Sequence, residues 1–443
     1  MEPAPRRVAF HTLGCKLNQF ETEAVASSFR AQGFVVTGDD EGADLHVVNT
    51  CTVTTRADHK ARSLIRRLAR GNPRVPLLVT GCSAETEAQA LSALAANIVV
   101  IPQSEKSRLL ALPRIIAEVL ASGADPIARL RNSLKTGAPA DPFALMATEF
   151  SFHTRAFLKI QDGCDCTCAY CRVPLARGRS VSLDLDEVLR RAVALEAAGR
   201  REIVLTGVNI SAWQASGVTL PGLLRRLLAV TSRARIRLTS IEPESITAEL
   251  AEALSDARVC PHFHIPIQSG SDQVLARMRR RYRAGKVADG VRLLREARDD
   301  PFIAADILVG FPGESEDDFF KTRDMILTSG LAALHVFPFS PRPGTSAASM
   351  KPAVPERVRR RRVDDLAALA RELSSSYARR WVGREVDVLL EGKSGSQPHG
   401  ISSNYLKVAV RAAPVDAVPG RLVRARITAE NPTCAGCFLG FVD

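Results

Sequence analysis

Three cysteines, Cys164, Cys168 and Cys171, stand in a C-x3-C-x2-C array just after an apolar run that reads as a strand. Three thiolates on one short loop suit three irons of a 4Fe-4S cube, and they leave the fourth iron open to chelate an amino and a carboxyl group. Structural zinc is the competing use of such thiols, but zinc usually closes a set of four N or S ligands, and no pair of matching spacing lies nearby. Cys166 falls inside the array and reads as a non-ligand, with a pairing through it left open. Cys15, Cys51 and Cys82 are far apart in the chain, yet each comes directly behind an expected strand. Parallel strands bring their carboxyl ends to one edge, where ligands of open α/β sheets collect, so these thiols are expected to converge on a second three-thiolate site. Three buried structural cysteines are the alternative. Cys260 reads as buried packing, and Cys434 and Cys437 as inert, a zinc half-site or a thiol switch.

The elements needed to position these groups are legible as alternating strands and helices. Val8–Leu13, Leu45–Asn49, Leu77–Thr80 and Ile98–Ile101 read as strands of a parallel sheet. Between the first two, a helix is expected to open at Asn18 with Glu21 completing a capping box, and a basic helix is expected over Arg56–Arg70. A second βα series runs through Phe157–Gln161, Ile203–Thr206, Ile236–Ser240, His262–Pro266, Ala304–Gly310 and His335–Phe339. Six units in so short a span fit an open barrel better than a closed eight-stranded one. After a basic helix from Pro355 to Arg380, Arg384–Leu390, Tyr405–Val410 and Leu422–Ile427 alternate in strand fashion. The expected fold class is α/β, with a Rossmann-like parallel-sheet domain over 1–127, a linker over 128–149, a partial (β/α)6 barrel over 150–375 and a small all-β barrel over 376–443.

The 443 residues are 46% hydrophobic and 24% charged, which excludes a disordered or fibrous chain. No run approaches the length of a membrane span, and the first residues lack an apolar signal core, so a cytoplasmic protein without membrane attachment is expected. In that compartment cysteines are expected in metal or cluster ligation rather than in a disulfide framework. The net charge of +12 rests mostly on arginine and favours a polyanionic partner, nucleic acid first. The eight histidines show no metal-binding spacing and read as structural or surface residues.

The run from Lys159 through Cys171 to Ser180 resembles the methylthiotransferase branch of the radical S-adenosylmethionine (SAM) enzymes. Thr12–Gln19, Val48–Cys51 and Thr80–Cys82 resemble that family's N-terminal cysteine motifs, and Leu205–Asn209, Ser240–Glu242, Ile265–Ser271 and Ile307–Glu314 its later segments. The tail resembles a TRAM domain, an RNA-binding small barrel. Thr12–Gln19, Met278–Tyr282 and Phe337–Gly344 look most like the branch that modifies N6-threonylcarbamoyladenosine beside the tRNA anticodon.

The resemblance implies two 4Fe-4S clusters, with Cys164, Cys168 and Cys171 as catalytic ligands of one and Cys15, Cys51 and Cys82 as metal ligands of the other. It implies SAM as cofactor, cleaved at the first cluster to a radical that attacks carbon 2 of adenine, while the second cluster delivers methylthio. A small-protein electron donor and tRNA are implied partners; the sulfur donor is unknown. Candidate SAM contacts are Tyr170, Gly207, Asn209, Ser240, Glu242, Gln268, Ser269 and Gly310, each with a turn, cap or packing role as alternative. Arg177 and Arg179 are candidates for the SAM carboxylate or RNA phosphate. Other readings are a relative acting on isopentenyladenosine tRNA or on a ribosomal-protein aspartate, and a non-catalytic iron-sulfur RNA-binding sensor.

Overall fold

The computed structural model describes residues 6–38, 42–122, 126–133, 141–147, 150, 152–394, 397–411, 418–430 and 437–441. They form two compact units, the first made of residues up to 152 together with 162–166 and 171–181, the second of 153–161, 167–170 and everything from 182 on.

The first unit is built on a five-stranded parallel sheet of β1 (Arg7–Thr12), β2 (Val35–Thr37), β3 (Leu45–Thr50), β4 (Leu77–Gly81) and β5 (Ile98–Val100), in the order β2-β1-β3-β4-β5. β3 and β4 are buried at every residue, as central strands covered on both faces must be. β2 was not expected, being three residues long and too short to show alternation. Helices α1 (Lys16–Ala31), α2 (Thr55–Gly71), α3 (Cys82–Thr86) and α4 (Val173–Arg177) belong to the same unit. α2 opens on Thr54, whose side chain accepts from the Ala57 N–H, and buries Ala61, Ile65 and Leu68 while its arginine-rich face stays in solvent.

α1 corrects the expected capping box. It starts at Lys16 with Cys15 as N-cap, so Asn18 and Glu21 lie inside it, fully buried. Asn18 Nδ2 instead donates to the carbonyls of Leu13 at 2.8 Å and Thr50 at 2.9 Å, satisfying two acceptors at strand ends that helix and sheet leave over. A helix, Pro126–Ser133, occupies the start of the stretch read as linker; residues 134–140, 148 and 149 of that stretch lie outside the described residues.

The second unit carries β6 (Ala156–Lys159), β7 (Glu202–Thr206) and β8 (Arg235–Leu238) as one parallel sheet, and β9 (His262–Gln268), β10 (Phe302–Val309) and β11 (Ala333–Pro338) as another. Parallel bridges Ile236–Val259 and Ser240–His264 join the two into the open six-stranded arrangement expected.

Behind it, β12 (Glu385–Ser394), β13 (Gln397–Ser402), β14 (Lys407–Arg411), β15 (Leu422–Glu430) and β16 (Cys437–Phe441) close a small barrel in the order β12-β13-β14-β16-β15. β13 and β16 were not anticipated. The barrel core of Val386, Val388, Val408, Val423 and Ile427 takes in Tyr377 and Ala378 from α5 (Glu356–Arg379), a helix that runs across the boundary expected at 375. An ionic clamp ties the two barrels of this unit. Buried Glu202 on β7 pairs with Arg235 and Arg237 of β8, each at 2.6 Å. The guanidiniums reach on to carbonyls of the small barrel, Arg235 to Asp387 at 2.9 Å and Arg237 to Ser402 and Ser403 at 3.1 Å. No helix among the described residues is long and apolar enough to cross a membrane.

Candidate cluster and cofactor site

In the first unit the three scattered cysteines meet because of sheet order. β1, β3 and β4 are neighbours, and their carboxyl ends lead to Cys15, Cys51 and Cys82. Two glycines let the loops close. Gly14 has φ +102°, and a Cβ there would stand 2.5 Å from Cys51 Cβ and 2.8 Å from its Sγ; Gly81 has φ +99°, and a Cβ would stand 2.3 Å from the Thr50 carbonyl. The charges on the three sulfurs act on one another. Cys51 and Cys82 are buried and Cys15 is exposed. Burial pushes the Cys51 thiol up to about 12, against the Val53 N–H that points at its sulfur; the Cys15 and Cys82 thiolates push it further and Arg177 opposes. Such a thiol keeps its proton in water at neutral pH and exchanges it for a metal, so the donor set fits iron.

Beneath these loops lies a buried polar network that the sequence reading missed. Glu21 accepts from Lys106 at 2.5 Å, Gln103 at 3.2 Å and Arg177 at 2.9 Å. Lys106 also donates to Asn49 at 3.0 Å, and Arg177 to Asn18 at 2.9 Å and Asp162 at 3.1 Å. Arg177 is therefore not free for a SAM carboxylate or a phosphate: its side chain is 3% exposed and its charge, held firmly on by Glu21 and Asp162, faces the thiols. Arg179, in contrast, is open to solvent beside Asp165 at 3.3 Å. The one signal that pointed to the network was polar side chains in core register, such as Asn49 in a strand with no exposed residue.

The second cysteine array is divided between the units. Cys164, Cys166 and Cys171 fold with the first, and Thr167–Tyr170 with the second. Each expected ligand already accepts an N–H bond to sulfur: Cys164 Sγ from the Cys166 amide at 3.4 Å, Cys171 Sγ from the Val173 amide at 3.4 Å, and Cys168 Sγ from Arg280 Nη1 at 3.3 Å. Such donors stabilise charge on a thiolate, so these sulfurs also suit iron. The loop is anchored in the first unit by Gly163, where a Cβ would lie 1.8 Å from the Arg179 carbonyl, and by Arg172, which donates to Thr52 and Glu87 at 3.2 Å.

In the second unit the expected SAM contacts separate into three kinds. Asn209 and Gly207 line a close approach to Gln161: the Asn209 amide donates to Gln161 Oε1 at 2.8 Å, and a Cβ on Gly207 would lie 2.8 Å from the Gln161 carbonyl. Asn209 Oδ1 is a buried acceptor with no partner among the described residues, an opening that fits a ligand donor. Glu242 pairs with Arg280, the residue that also donates to Cys168, and burial pushes its carboxyl up to about 7 against that arginine. Tyr170 packs edge-on to Phe311 at 6.4 Å, beside Ala169 and Met278. Gln268 is held at φ +66° where β9 bulges. The remaining three are engaged elsewhere. Ser240 Oγ bonds His264, and Ser269 is buried, bonded to Thr322 at 3.2 Å and the Ser271 amide at 3.1 Å. Gly310 meets Arg359, where a Cβ would stand 2.2 Å from Cγ. Cys260 is buried as expected, and Cys434 lies outside the described residues.

Residues 7–101 match the Uncharacterized protein family UPF0004, and residues 158–326 the Radical SAM superfamily. The chain is 39% identical to a Threonylcarbamoyladenosine tRNA methylthiotransferase of Treponema pallidum (strain Nichols), covering 96% of this chain and 98% of that protein. It is 36% identical to the like-named protein of Bacillus subtilis (strain 168), covering 98% and 97%. It is 33% identical to a tRNA-2-methylthio-N(6)-dimethylallyladenosine synthase of Sphingopyxis alaskensis, again covering 98% and 97%. In fold it resembles the radical S-adenosylmethionine methyltransferase TsrM of Kitasatospora setae, with a TM-score of 0.54 at 17% identity over 78% of this chain and 77% of that one. With thiols, N–H donors and an unfilled acceptor in place, the chain belongs to the radical SAM methylthiotransferases, transferases whose cofactors are SAM and 4Fe-4S clusters.

Proposed function

We propose that the chain inserts a methylthio group at carbon 2 of N6-threonylcarbamoyladenosine next to the anticodon of tRNA. The observation that carries this is likeness over nearly the whole length to two proteins named for that nucleoside. Cys164, Cys168 and Cys171 are the proposed ligands of the SAM-binding cluster, and Cys15, Cys51 and Cys82 those of the second. When bound, SAM and the clusters supply the radical and the sulfur transfer that an unactivated C–H bond demands, beyond any acid or base of protein strength.

The protein's own part is to hold charge and exclude water. Arg280 donates to Cys168 and fixes Glu242, while Asn209 offers its free oxygen to the cofactor. Arg177 supplies a buried positive charge where the first three thiols ionise. Domain limits at 1–127, 150–375 and 376–443 and a cytoplasmic site of action complete the reading, with tRNA held through basic surface and an electron donor of small-protein type.

The relative named for dimethylallyladenosine gives a second reading, in which the nucleoside carries an isopentenyl group instead. Nucleoside mass spectrometry of tRNA from a deletion strain separates the two. Loss of the 2-methylthio form of threonylcarbamoyladenosine is expected; its persistence, with loss of the isopentenyl counterpart, transfers the assignment to the second reading.

A further inference from the structure

Three side chains of metal-binding type converge in the second unit. His264 stands on β9, Asp306 on β10 and His335 on β11, strands that are neighbours in that order. His264 pairs with Ala304, and Asp306 pairs with His335. Residues opposed across a parallel pair share a face, as do residues two apart along a strand, so all three side chains project to one side of the sheet. The opposite face, with Ile303, Ala305, Ile307 and Val309, is fully buried, whereas His264, Asp306 and His335 are 18%, 22% and 56% exposed.

The contacts are close and share one atom. His264 Nε2 is 2.8 Å and His335 Nδ1 3.2 Å from Asp306 Oδ1, and one ligand atom from each of the three lies within 4.8 Å of the others. Ligands about 2.1 Å from a metal are about 3 Å apart at right angles and about 3.4 Å apart in a tetrahedron, so the 2.8 and 3.2 Å contacts to Asp306 need open only slightly to admit an ion. Ser240 Oγ sits 3.0 Å from His264 Nδ1, orienting the ring through its other nitrogen as outer partners of histidine ligands do. Among the described residues the two imidazoles are the only hydrogen-bond partners of the Asp306 carboxylate, and no lysine or arginine pairs with it. A second carboxylate, Glu242, acts on Asp306 from nearby and is itself committed to Arg280.

We propose that His264, Asp306 and His335 hold one divalent first-row transition-metal ion of the zinc(II) or iron(II) class. Two imidazoles and one carboxylate are the donor set such ions take, and three protein ligands leave positions open for water or a ligand oxygen.

Zinc(II) is the probe. Protein carrying its reconstituted clusters is equilibrated anaerobically with zinc(II), freed of excess by gel filtration and assayed for zinc and iron together. About one zinc per chain is expected in the wild type, falling at least fivefold in His335→Gln and in Asp306→Asn with iron unchanged. A Cys434→Ser/Cys437→Ser variant should keep its zinc. His335 is exposed enough for its substitution to leave the fold intact, and unchanged iron content reports that it has. A wild type that holds no zinc, or zinc that survives both substitutions, overturns the proposal and leaves the trio a hydrogen-bonded charge cluster.

Discussion

Cys51 and Arg177 illustrate how single side chains set the charge balance at the proposed second cluster site. The thiol is disfavoured as a thiolate by burial, and the guanidinium offsets that cost only in part, so on the proposed reading the last of the charge balance would fall to iron. Replacing these three cysteines together by alanine should lower iron from about eight to about four per chain, the content of one cube instead of two. Iron analysis after anaerobic reconstitution measures this, and a value that stays near eight refutes the second site. At this scale the sequence was informative about sulfur and poor about what surrounds it. The cysteines declared themselves by spacing and by their place behind strands. Asn18 and Glu21 looked like a helix start because their separation is that of a capping box, although both are core residues whose partners, Lys106 and Arg177, are brought to them only by the tertiary fold.

Among the elements, the pairing of β7 and β8 with the small barrel has a pH signature. Arg237 and Arg235 hold the Glu202 carboxyl well below the usual carboxylate range, although burial works the other way. A carboxyl whose folded pKa is depressed adds stability that is present above its unfolded value, near 4, and is lost as pH falls through the folded one. Glu202→Gln, which leaves two buried arginines without their anion, should cost about 3–5 kcal/mol at pH 7. The deficit relative to wild type should shrink as pH falls below about 4. Chemical denaturation at a series of pH values tests both points; a deficit that does not depend on pH would remove the charge from the explanation. The strands that carry this clamp were legible from alternation, since each has a buried face. The cross-barrel contacts were not, because they run from side chains to backbone carbonyls, which leave no trace in residue type. β13 and β16 escaped notice for a related reason: a short strand in a closed barrel owes its pairing to neighbours more than to its own pattern.

For the whole molecule, the charge of +12 governs association more than fold. Arg56, Lys60, Arg66 and Arg70 line the exposed face of α2. If six or more phosphates are neutralised, affinity for tRNA should fall about a thousandfold between 50 and 200 mM salt, with a linear log-log slope. Filter binding or anisotropy reads this directly, and a flat response would mean that the cationic surface faces something else.

The loop bearing Cys164 and Cys171 has one more implication. Its residues from 162 to 166 and 171 to 181 are part of the N-terminal unit, balanced there by Glu21, Asn18, Thr52 and Glu87. The stretch that matches the Radical SAM superfamily, 158–326, is thus not the same as a folded unit. A fragment beginning at residue 153 would contain every cysteine of the radical motif and yet lack the scaffold that shapes it. Recombination that lent this catalytic core to a new neighbour would succeed only if the neighbour arrived with an equivalent cradle of acids and amides.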